Sequence, residues 1–119
     1  IVPGSECKKK SGSEEIAKKT LDCLKKNVPS NVPGIAFLSG GQSEIDASRN
    51  LNEINKMNDT SFLITFSYGR GLQASALKTF GKNLNDINKI QRVFAHRAKM
   101  NGLSSKGEWS ENLEKEAVA

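Results

Sequence analysis

Apolar residues recur along this chain in two alternating rhythms, stripes at helical spacing and short unbroken runs. Ile16, Thr20, Leu21, Leu24 and Val28 share one face and predict a helix beginning at Ser13. Ser13 is placed to cap its first turn, Glu14 and Glu15 lie at its positive end, and Lys25 and Lys26 lie at its negative end. Pro29 stops it. After a loop containing Asn31, Pro33 and Gly34, the run Ile35-Ala36-Phe37-Leu38 predicts a strand buried on both faces. Ser39-Gly40-Gly41 follows directly. Ile45, Ala47, Ser48, Leu51 and Ile54 then predict a second helix capped from Gln42 or Ser43.

The same unit comes again. A polar loop around Asn58 to Thr60 leads into Phe62-Leu63-Ile64-Thr65-Phe66, a second buried strand, and then into Ser67-Tyr68-Gly69-Arg70-Gly71. A third helix follows, with Leu72, Ala76, Thr79 and Phe80 inward and Gly81 as a left-handed cap. A fourth, Leu84 to Met100, has Leu84, Ile87, Ile90, Phe94 and Ala98 as its buried stripe. Beyond Asn101-Gly102 the chain turns to Ser, Lys, Glu and Asn around Trp109, which predicts a folded part over 1–102 and a flexible tail over 103–119.

Strand, glycine turn and helix in succession imply parallel strands covered by helices, because a parallel crossover needs a helix to return the chain. The expected class is α/β. Two strands alone leave both edges unpaired, so this stretch is expected either to dimerise extensively or, the favoured alternative, to be part of a longer polypeptide. Ligands of parallel α/β proteins lie beyond the carboxyl ends of the strands, where both glycine turns fall. Ser39-Gly40-Gly41 offers unobstructed backbone N–H groups and a hydroxyl near a helix N-terminus. Gly69-Arg70-Gly71 adds a guanidinium whose forked donors match a phosphate. Together the two turns can close around one phosphate.

Composition narrows the partners. With 18 Lys and Arg against 13 Asp and Glu, a net charge of +5 favours anionic ligands. The lysines cluster without aromatic interleaving and no RRM, KH or zinc-finger spacing occurs, which argues against nucleic acid. Hydrophobic residues make up 36% of the chain, and no run approaches the roughly 18 apolar residues of a spanning helix, so membrane insertion is not expected. The start, Ile1-Val2-Pro3-Gly4, lacks the pattern of a secretion signal. Cys7 and Cys23 have no zinc-binding spacing and fit reduced thiols in the cytoplasm, with Cys23 as a small core residue. His96 has no carboxylate or cysteine nearby in sequence and reads as structural. No carboxylate pair, triad or metal cluster can be assembled.

The segments Val32-Pro33-Gly34-Ile35-Ala36-Phe37-Leu38-Ser39-Gly40-Gly41-Gln42-Ser43-Glu44 and Thr65-Phe66-Ser67-Tyr68-Gly69-Arg70, with Ala47-Ser48 and Leu72-Gln73-Ala74-Ser75, resemble the C-terminal third of class I fructose-1,6-bisphosphate aldolases. The resemblance runs from Ile1 to about Gly107. It implies a (β/α)8 TIM barrel, here incomplete, with Ile35 to Leu38 and Leu63 to Phe66 as its seventh and eighth strands. It implies a glycolytic lyase that cleaves fructose 1,6-bisphosphate through a lysine Schiff base without metal or cofactor. The roles carried to this chain are substrate-phosphate binding by Ser39, Gly40, Gly41, Ser67, Gly69 and Arg70. The Schiff-base lysine is expected upstream of Ile1, so no catalytic residue is assigned here, and Lys8, Lys9 and Lys10 cannot replace it. The family's tail ends in a tyrosine that assists turnover, whereas this chain ends Ala117-Val118-Ala119 and its single tyrosine is Tyr68. A cytoplasmic homotetramer with cytoskeletal partners is implied as well. The rival expectation is a non-catalytic scaffold that keeps the phosphate cradle.

Overall fold

In the computed structural model, which describes residues 2–116, the elements follow in the order α1 (Ser13–Asn27), β1 (Gly34–Phe37), α2 (Glu44–Met57), β2 (Leu63–Phe66), α3 (Arg70–Lys82), α4 (Ile87–Ser104) and α5 (Glu111–Lys115). Among the described residues β1 and β2 form one parallel pair, with Gly34 opposite Leu63 and Phe37 opposite Phe66. The α/β class therefore holds. Ile1 and Ala117-Val118-Ala119, on which the readings of the chain's start and end partly rest, lie outside the described residues.

The core forms where α1 and α2 pack together beneath one face of the sheet. Ala17 and Leu21 from α1, Ala47, Leu51 and Ile54 from α2, and Phe62, Ile64 and Tyr68 from around β2 make a single buried cluster. Leu24, Val28, Ile35, Phe37 and Phe66 pack against it. The helical stripe read from α1 is thus the stripe that is buried.

Several expectations are corrected by the packing. The strands are not buried on both faces: exposure alternates along them, and Leu38 and Leu63 are 74% and 77% exposed. One sheet face packs on the helices, while the other stands open at Leu38 and Leu63, with Thr65 hydrogen-bonded to Ser105 at 3.0 Å. On α4, which begins at Ile87 rather than Leu84, the buried residues are Arg97, Met100, Asn101 and Ser104; of the expected stripe, Leu84, Ile87 and Phe94 are exposed and Ile90 and Ala98 half-buried. With Leu77 and Phe80 of α3 the exposed side chains form an apolar surface that nothing covers among the described residues. Cys23 is exposed, Gly12 rather than Ser13 is the N-cap of α1, and α3 runs through Gly81 to Lys82.

The segment expected to be a loose tail is packed over its described part. α4 continues past Asn101-Gly102, and Trp109 is buried with its backbone N–H donating to Asn52 Oδ1 at 2.9 Å. Its indole Nε1 donates to Glu114 Oε1 at 2.7 Å, and Arg97 grips both Glu114 oxygens, at 2.6 and 3.1 Å. Arg97 also donates to Ser48 Oγ at 2.9 Å, and that hydroxyl donates to Asn101 Oδ1 at 2.6 Å. A polar composition therefore hides a buried anchor. The misreading has a physical source, since a single aromatic among charged residues carries no periodicity.

Burial pushes the Glu114 carboxyl up, but hydrogen bonds from Arg97 and Trp109, the Arg97 charge and His96 outweigh this and hold it below its ordinary 4.5. An acid depressed in the folded state stabilises that state above its ordinary pKa, and the contribution is lost as pH falls through the lowered value. Trp109 emission is expected to stay blue at neutral pH and to shift red only in acid, below pH 4.5. Glu114→Gln is expected to weaken docking of the segment by about 1.5–3 kcal/mol at neutral pH and to flatten this acid dependence. An acid profile identical in the two proteins would refute the anchor.

Candidate functional site

Parallel pairing delivers both chain reversals to the same edge of the sheet. Ser67 N–H donates to the Phe37 carbonyl at 2.7 Å, which extends the pairing past the strands and places the second reversal beside the first. The approach is close: a Cβ added to Gly71 would lie 2.8 Å from Ser39 Cβ and 3.3 Å from Ser39 Oγ. Only glycine permits that contact without displacement.

The first reversal, Ser39 to Gln42, is closed by Gln42 N–H donating to the Ser39 carbonyl at 3.0 Å. Gly40 and Gly41 have φ of 59° and 79°, the left-handed region that glycine enters without strain. Their N–H groups have no acceptor among the described residues, and no atom lies where their side chains would be. Two backbone donors therefore stand open beside the N-terminus of α2. Ser43 caps that helix by accepting from Asp46 N–H at 3.1 Å.

The second reversal leads into α3. Gly69, its N-cap, has no side chain to cap the first turn, so no side chain occupies the positive end of the helix. Arg70 is exposed and makes no hydrogen bond or ion pair among the described residues. Ser67 is exposed as well, while Ser39 is buried at 6%. All six candidate residues thus stand on two adjacent turns at the carboxyl end of the strands, one carrying open amides and the other an exposed guanidinium. The arrangement suits an oxyanion with several acceptor oxygens.

Residues that sequence reading passed over hold these turns in place. Tyr68, between Ser67 and Gly69, is buried and donates its hydroxyl to the Ala47 carbonyl of α2 at 3.1 Å. Burial pushes the phenol up to about 12, so it remains a neutral donor. Its ring lies 5.4 Å from that of Phe66. Glu44, at the start of α2, accepts from Ser75 N–H at 2.9 Å and from the Ser75 hydroxyl, joining the first turns of α2 and α3. Neither role has a sequence signal, because each partner comes from another element.

Other candidates stand apart. Lys10 donates to the carbonyls of Gly4 and Ser5, each at 3.0 Å, as a backbone support. His96 is half-buried, with Nε2 3.5 Å from Glu114 Oε2 in the packed C-terminal anchor, a carboxylate that its sequence neighbourhood did not show. Among the described residues no group of His, Cys, Asp and Glu could hold a metal ion, and no helix is long and apolar enough to cross a membrane.

The sequence model of the family described as glycolytic, fructose-bisphosphate aldolase class-I, matches residues 1–119. The chain belongs to the class I fructose-bisphosphate aldolase family. It is 51% identical over 111 residues to fructose-bisphosphate aldolase B of Sparus aurata and 49% identical over 109 residues to fructose-bisphosphate aldolase 1 of Toxoplasma gondii. Each match covers 92% of this chain and 30% of the relative, so the chain spans about 30% of the length of these curated aldolases. A solved structure of the Plasmodium falciparum aldolase, in complex with TRAP and a small-molecule inhibitor, superposes with a TM-score of 0.85 at 41% identity. That match covers 90% of this chain and 31% of the other.

Two glycines give a local test in this aldolase segment. Gly71→Ala is expected to destabilise the fold by about 1–3 kcal/mol through overpacking against Ser39. Gly81→Ala, inside α3 with open space at its Cβ position, is expected to stabilise it by about 0.5–1 kcal/mol. Denaturant midpoints read both, and equal shifts of one sign would contradict the close approach of the two turns.

Proposed function

We propose that this segment supplies the substrate-phosphate end of a class I fructose-bisphosphate aldolase, a metal-independent lyase of glycolysis. Ser39, Gly40 and Gly41 from one turn, and Ser67, Gly69 and Arg70 from the other, hold the C1 phosphate of fructose 1,6-bisphosphate. The observation that carries this reading is the convergence of open Gly40 and Gly41 amides, the α3 N-terminus and the unpaired Arg70 at one sheet edge. Family membership supports the substrate. The exposed sheet face at Leu38 and Leu63, and the uncovered stripe at Leu77, Phe80, Leu84 and Ile87, support burial against further units of a (β/α)8 barrel in a longer chain.

The chemistry divides accordingly. The phosphate site fixes one end of the substrate, and a lysine from the preceding part of the longer chain attacks the ketone, losing water to form an iminium. That cation accepts the electron pair released when the C4 hydroxyl loses its proton and the C3–C4 bond breaks, which frees glyceraldehyde 3-phosphate and leaves an enamine; protonation at C3 and hydrolysis by water then release dihydroxyacetone phosphate and restore the lysine. The reading carries with it a cytoplasmic homotetramer.

In the longer chain, borohydride in the presence of substrate is expected to trap a covalent adduct, and the absence of one would sink the lyase reading. Arg70→Ala is expected to weaken substrate binding by about 1.5–3 kcal/mol, roughly 10- to 150-fold in Kd, by removing hydrogen bonds to a charged group. Unchanged affinity by calorimetry would remove Arg70 from the site.

A further inference from the structure

We propose that Gln42 and Asn50 are positioning residues, a polarity relay in which Asn50 sets the orientation of the Gln42 amide and that amide holds the Gly40 N–H toward the phosphate. The inference rests on the phosphate reading above. Three contacts carry it. Asn50 Nδ2 donates to Gln42 Oε1 at 2.7 Å, Gln42 Nε2 donates to the Ser39 carbonyl at 2.8 Å, and Gln42 N–H donates to the same carbonyl at 3.0 Å.

The direction of the relay follows from what each atom can do. A backbone carbonyl only accepts, so Gln42 must turn its NH2 toward Ser39. Its oxygen is then left facing Asn50, which must answer with its own NH2. Asn50 sits eight residues along the chain from Gln42, on the rigid body of α2, and is buried at 9%. The orientation of a side chain on a helix is thereby passed to a glycine turn that has no side chains of its own. Reversing the Gln42 amide would set two oxygens against each other at hydrogen-bonding distance.

The consequence for the site comes from the peptide plane. Ser39 C=O and Gly40 N–H belong to one trans peptide unit, and their bonds point in opposite directions. Two hydrogen bonds on the carbonyl therefore hold the Gly40 N–H away from Gln42, on the open side of the turn. With φ of 59° and 79°, glycines leave this unit freer to rotate than other residues would. Gln42 removes that freedom before a ligand arrives, which lowers the ordering cost of binding.

The test is equilibrium binding of fructose 1,6-bisphosphate to the longer chain, by calorimetry, for wild type, Arg70→Ala, Gln42→Leu, Gln42→Glu and Asn50→Asp, with melting curves run beside it. Gln42→Leu and Gln42→Glu are expected to raise Kd by about tenfold near neutral pH, the scale of a lost hydrogen bond and a loosened turn. A carboxylate in place of Gln42 repels the Ser39 carbonyl, but its protonated form is again a donor. The ratio of the Gln42→Glu Kd to the wild-type Kd is therefore expected to fall as pH drops from about 8 to about 5, with the Gln42→Leu ratio flat. Asn50→Asp provides the same acid rescue through the other end of the relay should Gln42→Glu not fold.

Arg70→Ala binding as tightly as wild type would show that the phosphate reading has failed, and the inference with it. Weak binding by Arg70→Ala beside wild-type binding by the Gln42 variants overturns the inference alone. So does a Gln42→Glu defect that does not close in acid, since simple packing would not respond to protonation.

Discussion

The parallel register of Gly34–Phe37 against Leu63–Phe66 is the constraint on which the rest of the structure depends. Parallel strands must each be followed by a return path, so both chain reversals leave the sheet at the same edge. A two-stranded parallel pair cannot hold itself in water. It is held by α2, which buries Ala47, Leu51 and Ile54 beneath it and reaches both reversals, the first through its own N-terminus and the second through the Ala47 carbonyl and Glu44. The site's geometry is thus a property of one helix and one register.

Much of this was legible in order and little of it in contact. The apolar runs at Ile35 to Leu38 and Phe62 to Phe66, each followed by glycines and a periodic stripe, were sufficient for the α/β class and for placing both turns at the carboxyl end of the strands. The turn chemistry pointed to Ser39, Gly40, Gly41, Gly69 and Arg70, the resemblance added Ser67, and the structure brings the two turns together. Periodicity misled where a stripe has no partner among these residues. Leu84, Ile87 and Phe94 are correctly amphipathic, yet exposed, because a stripe reveals that a face seeks burial and not what buries it. The opposite error occurred on the same helix, where Arg97, Asn101 and Ser104 are buried: Ser48 of α2 accepts from Arg97 and donates to Asn101, and Ser104 donates to the Met100 carbonyl.

Buried polar residues are the part that sequence reading could not reach. Asn55 Nδ2 lies 3.1 Å from the carbonyls of Leu51, Ile64 and Ser104, joining α2, β2 and α4 at one atom. Asn52 accepts from the Trp109 N–H, and Asn50 donates to Gln42. On a helical wheel Asn50 stands across from Asn52 and Asn55, and each alone reads as an ordinary solvated position. Here they satisfy backbone and side-chain groups that would otherwise be orphaned in a low-dielectric interior, where each costs about 1–3 kcal/mol if left unpaired. Their partners come from elements distant in sequence, so no local pattern marks them.

The same asymmetry separates the turn residues from their supports. A candidate ligand contact can be recognised by its chemistry, as Arg70 is by its guanidinium and Gly40 by its exposed amide. A residue that orients another is recognisable only once the third atom is in view. Gln42 would cap a helix as plausibly as it holds a peptide plane, and Asn50 would be solvent-facing on most helices. What assigns them is the carbonyl of Ser39, which can only accept. From that single restriction the orientation of two amides follows, and with it the side of the turn on which the Gly40 N–H stands.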